Sequence, residues 1–241
     1  AIFPLTLTKA EQPATPSAPR LRPALAWRAS PLAVAGVLVA AQSSAAFRMV
    51  GPIYGQEVGL QASQIGYFLA AYVAGGALAQ YPVGWLADKF DRRWVLIWLS
   101  VAAIIACIVT VASAGMGTWA VMAAATFFGL TTFPVYSVAT AHAHDFISDE
   151  ERIELSAALM FFYAVGAIAA PYVSSKLMSG FGAGALFTFI SVGHLLLVIF
   201  GLMRMRVRSA PVTRTRYIYA PRTSFIVGRL LGRSRNRDQN E

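Results

Sequence analysis

The chain has 241 residues, 57% hydrophobic and 13% charged, with a formal net charge of +9 and one cysteine. Soluble domains carry about a quarter charged residues, so the shortfall argues against a conventional soluble domain, and a lone cysteine excludes an intrachain disulfide. Charge is absent from long blocks and crowded between them, the pattern expected of a membrane protein whose apolar blocks each run about 20 residues to cross the hydrocarbon.

The chain starts at Ala1 rather than Met, and "AIFPLTLT" lacks the charged start and cleavage site of a signal peptide. Residues 1–30 are therefore expected to hold the end of a preceding helix, begun outside this chain, and a cytoplasmic linker. The stretch 11–31, rich in Pro, Ala and Arg, predicts flexible chain rather than a folded element. Six apolar spans follow at about 31–50, 64–87, 94–114, 118–141, 155–176 and 184–203. They form one transmembrane domain over 31–205. Turn chemistry separates them at "GPIYGQEVG" (51–59), "SAGMGT" (113–118) and "SGFGAG" (179–184). The blocks are continuous rather than alternating, which predicts helices and not strands. The fold class expected is an all-α membrane protein, a bundle of six transmembrane helices. The basic tail, 206–241, is either a solvated topology signal or, at "FIVGRLLGR" (225–233), a short helix on the membrane surface.

Orientation follows from the basic residues. Lys9, Arg20, Arg22, Arg28, Lys89, Arg92, Arg93, Arg152 and every arginine from Arg204 onward fall on one side, against Arg48 and Lys176 on the other. The rich side is assigned to the cytoplasm, with both ends inside. No room is left for a nucleic-acid-binding fold. An enzyme is not expected either, since no nucleophile–base pair, phosphate loop or metal cluster is found, and no cofactor is implied. Cys107 lies within an apolar block and is read as filler. His142 and His144 are spaced for a metal, but no further ligands converge on them.

Three further local patterns stand out in the sequence. The second span reads "YVAGGALAQYP" (72–82) and the fifth "FYAVGAIAAPY" (162–172), as if spans 1–3 and 4–6 were related repeats. The stripe Ala71, Gly75, Ala79 suits close helix packing. Ser148 with Glu151 matches a capping box opening the fifth span.

The most informative stretch is "GWLADKFDRR" (84–93), five charges in six positions between blocks that have none from Ile65 to Ala87 and from Trp94 to Ala141. Gly84, Asp88, Lys89, Arg92 and Arg93 resemble the loop signature of the major facilitator superfamily and lie where it requires, between spans 2 and 3 of six. Asp91 stands where the signature has a second Gly. With "GPIYGQEVGL", "FPVYSVATAHAHD" and "YAVGAIAAPYVSSKLM", residues 31–205 look like the second half of the bacterial YcaD-like branch. The resemblance implies the C-terminal half of a twelve-helix secondary transporter in the bacterial inner membrane. A first six-helix half would be missing from this chain, and a small solute would be moved by alternating access. The loop would then latch a cytoplasmic gate, Asp88 facing a helix N-terminus of the other half, while the basic residues pair with acids and lipid phosphates. A homodimeric six-helix transporter, or a non-transporting scaffold docking through its Arg-rich tail, are the alternatives.

In such a half the first, second, fourth and fifth helices line the cavity. Candidate solute contacts are Gln42, Ser43 and Ser44 in span 1, Tyr72 and Gln80 in span 2, Thr132 and Tyr136 in span 4, and Tyr163 in span 5. Gln42 leads them, with an interhelical hydrogen bond as its other reading. Arg48 either snorkels to the interface or attracts an anionic solute, and His194 is assigned to packing or a hydrogen bond between helices. No Asp or Glu falls inside any span, so this half supplies no buried carboxylate for proton coupling.

Overall fold

The computed structural model describes residues 21–207. Its helices are α1 (Pro23–Ala29), α2 (Pro31–Glu57), α3 (Ala62–Lys89), α4 (Arg92–Ala112), α5 (Thr118–His144), α6 (Arg152–Phe181) and α7 (Ala185–Val207), with one 3-10 turn at Asp149–Glu151. The last six are each long and apolar enough to cross a membrane, and no strand occurs among the described residues. The six-helix all-α bundle expected from the sequence is the fold observed.

The two triplets of spanning helices interlock. The most extensive packing joins α3 to α5 and α2 to α6, so each triplet's first helix meets the other's second. α4 packs on α5 and α7 on α2 in the same reciprocal way. Small residues permit this packing. A Cβ on Gly75 would overlap the Thr126 carbonyl, and one on Gly129 would overlap the Tyr72 carbonyl. α3 and α5 therefore cross backbone against backbone. Gly166 does the same for α6 against α2, where a Cβ would come within 3.0 Å of the Leu38 oxygen. Near this crossing the rings of Phe47, Phe68, Tyr72, Phe128 and Phe187 form a buried aromatic core, with Phe47 and Tyr72 centroids 4.3 Å apart. α2 and α5 are the most enclosed spans, α3 and α6 the least.

Three local expectations are corrected. The stretch at 51–59 does not break the first span, because α2 runs through Pro52 to Glu57. Gly55 is a packing glycine whose missing Cβ lets Ile65 and Leu60 close in. The chain turns only at Gly59, at φ +87°. There the Leu60 N–H donates to the Gly55 carbonyl at 2.9 Å and the Gly59 N–H to Gln56 at 3.0 Å, a Schellman closure.

Within the expected linker, residues 23–29 form α1, with Leu25, Ala26 and Ala29 buried and the helix packed on α6. Pro23 stands at its start, where a missing N–H costs nothing. Arg22 ties this element to Glu154 at 2.9 Å.

Ser148 does not cap α6. Its side chain makes no capping bond, because the acidic run 149–151 first closes a 3-10 turn ahead of the helix. The reciprocal capping box is at Gln61 and Gln64, opening α3.

Candidate functional site: a mid-depth groove and the loop beneath it

The loop between α3 and α4 is an ion-paired corner. Arg92 is almost fully enclosed: its guanidinium meets Asp145 at the end of α5, Asp88 at 3.2 Å and the Ala141 carbonyl at 3.1 Å. Among the described residues its Nε finds no acceptor. Asp91 caps α4 by accepting from the Arg93 N–H at 3.0 Å and pairs with the Arg93 guanidinium at 2.7 Å. That explains the departure from the family's glycine: a capping carboxylate occupies the turn. Lys89 lies 4.8 Å from the centre of the Trp85 ring. The basic residues thus find partners within this chain.

Gly84 has open space on its Cβ side. With Asp88, Arg92, Gln80 and Ser137 it lines a furrow of about 840 Å³ between α3 and α5. Above it, near the middle of the helices, lies a pocket of about 330 Å³ that shares Gln80 and Ser137 with the furrow. α2 contributes Ala40, Ser44 and Arg48, one face at i+4 spacing. α3 adds Tyr72, α5 adds Thr132, Phe133 and Tyr136, and α6 adds Met160 and Tyr163. The Tyr72 ring is buried in the aromatic core, and the residue lines the pocket together with Ser44 and Thr132. Tyr136 and Tyr163 stand edge to face at 5.3 Å, and the Tyr136 hydroxyl donates to the Met160 sulfur at 3.3 Å. Ser137 donates to the Gln80 side-chain oxygen at 3.3 Å. The Arg48 guanidinium lies 5.7 Å from the centre of the Phe133 ring.

Six of the eight expected cavity residues meet here: Ser44, Tyr72, Gln80, Thr132, Tyr136 and Tyr163. The placement of the other two is corrected. Gln42 points to α7, where its amide donates to the Phe189 carbonyl at 2.8 Å, and it fills the space left by Gly193. Ser43 is buried, donates to the Val39 carbonyl at 2.9 Å and lies 3.0 Å from the His194 Nε2. On a helix, neighbours at i+1 and i+2 point about 100° and 200° apart, so 42–44 cannot share one face. Arg48, on the face of Ser44, joins the pocket; the i+4 spacing was the signal for it. His144 Nδ1 lies 2.8 Å from the Thr140 carbonyl, and His142 packs edge-on against Phe146. Another furrow, of about 580 Å³, is walled by Val83, Leu86, Phe90, Trp94 and Trp98, side chains suited to lipid.

Six spanning helices around a polar, aromatic, solute-sized groove define a multi-pass membrane protein. The chain belongs to the major facilitator superfamily, whose family model matches residues 32–235. It is similar to the protein named "Uncharacterized MFS-type transporter YcaD" of Escherichia fergusonii, 28% identical over 214 residues that cover 88% of this chain and 54% of that one. The protein of the same name from Salmonella heidelberg is 30% identical over 193 residues, covering 79% and 49%. The resemblance to the YcaD-like branch is thereby borne out, and the chain spans about half the length of these relatives. Among solved structures it is similar to the POT family transporter PepTSo, with a TM-score of 0.64, covering 83% of this chain and 40% of that one. At 15% identity that likeness speaks for the fold alone.

Proposed function

We propose that this chain is the C-terminal half of a twelve-helix secondary transporter of the bacterial inner membrane, moving a small solute by alternating access. The observation that carries the reading is the mid-depth groove, where polar and aromatic side chains of α2, α3, α5 and α6 line one pocket. α3 and α6, two of the helices that line it, leave Tyr67, Leu78, Tyr81, Ile168 and Tyr172 exposed. A second six-helix half would cover these faces and close the site between the halves, in keeping with relatives about twice as long. Both ends would be cytoplasmic, since Arg22, Lys89, Arg92, Arg93 and Arg152 gather at one end of the bundle. The open side of Gly84 and the partly exposed Asp88 would receive the other half as a cytoplasmic latch.

The test is a cysteine at Ser44, in the full-length protein with its other cysteines replaced, probed in sealed vesicles of each orientation with a membrane-impermeant maleimide. Alternating access expects labelling from both faces. Labelling from one face only, or none, would favour a scaffold that kept the fold.

A further inference from the structure

We propose that the groove is built for an anionic solute, with Arg48 as the residue that holds its charge; this rests on the groove being the solute site. Arg48 stands two turns from Ala40 and one from Ser44 on the pocket-facing side of α2. Its guanidinium cannot shed its proton, and a charge at this depth of a bilayer calls for a partner. Among the described residues no carboxylate provides one. Asp88, Asp145, Asp91, Asp149, Glu151 and Glu154 are all paired at the loop end of the bundle, and Glu150 lies there too, between Asp149 and Glu151 in the 3-10 turn. Glu57 follows nine residues along α2, roughly 13 Å further out at 1.5 Å per residue. What does meet Arg48 is the Phe133 ring, a cation–π contact that leaves the guanidinium's N–H groups free to donate.

The rest of the pocket fits the same ligand. Its other polar groups are the hydroxyls of Ser44, Tyr72, Thr132, Tyr136, Ser137 and Tyr163 and the Gln80 amide, all neutral. The remaining wall is aromatic and aliphatic, which lowers the local dielectric and strengthens the field of the one cation. A cationic solute would meet an uncompensated like charge. An anion would complete the ion pair and take hydroxyl donors beside it.

The experiment uses the Ser44→Cys variant of the full-length protein, in the same cysteine-replaced background, Cys107→Ala included. Modification rates are measured with sulfonatoethyl methanethiosulfonate, an anion, and trimethylammonioethyl methanethiosulfonate, a cation. Their ratio is divided by the same ratio for β-mercaptoethanol in solution. Any effect of Arg48 on the thiol's own ionisation cancels in this ratio. A charge one helical turn away should favour the anion by about tenfold or more. Arg48→Gln should return the normalised ratio to near unity, and Arg48→Lys should keep most of the preference. A ratio at or below unity with Arg48 present would mean that an acid from outside this chain already neutralises it. That result, or a preference untouched by Arg48→Gln, overturns the inference and leaves the solute-site reading standing. No modification by either reagent would remove the solute-site reading itself.

Discussion

Replacing Asp145 by Ala tests whether the corner between α3, α4 and α5 is held by its buried ion pair. The side chains of Asp145 and Arg92 are 3% and 9% exposed, so the variant leaves a guanidinium in an enclosed site without its closest acid. Removing one partner of a buried pair costs about 3–5 kcal/mol. Here Asp88 at 3.2 Å and the Ala141 carbonyl at 3.1 Å stay in place, which sets the expectation at the lower end, about 3 kcal/mol. Most of that cost is the stranded charge, not the lost attraction. Asp145→Ala combined with Arg92→Met should therefore cost less than Asp145→Ala alone, whereas independent sites would add. The assay is SDS-titrated unfolding of the purified protein followed by tryptophan fluorescence, for which Trp94 and Trp85 lie beside the corner. An Asp145→Ala variant within about 0.5 kcal/mol of wild type, the range of an ordinary surface change, would refute the reasoning, as would a double variant equal to the sum.

Two further substitutions probe the packing and the loop. Gly129→Ala drives a methyl into the Tyr72 carbonyl, and overpacking against rigid backbone should destabilise the bundle by about 1–3 kcal/mol in the same unfolding titration; an unchanged midpoint would mean that α3 and α5 do not approach as described. Asp88→Asn keeps the side chain's shape on a partly exposed site, so it should cost about 0–1 kcal/mol of stability, while membrane insertion stays normal and uptake falls once a solute is known. Undiminished uptake by that variant would remove the latch.

The membrane class, the number of spans and the family were all determined by the sequence alone, because each rests on signals that act over short range. An uncharged apolar block of spanning length must be a helix in lipid, since every backbone N–H and C=O has to be satisfied within it. The loop signature is legible because its residues are consecutive. Local readings failed where one residue type serves two ends. Gly55 reads as turn chemistry and is a packing contact, Pro23 opens a helix instead of marking a linker, and Ser148 makes no capping bond because a 3-10 turn precedes α6. Which polar side chains share a groove was settled only by the tertiary structure. Gln42 and Ser44 sit two residues apart in the same span, yet one is tied to α7 and the other faces the pocket with Arg48. The angle between them is set by the helix, but the face that α7 covers is decided by how closely the glycines of α3, α5, α6 and α7 let the helices approach.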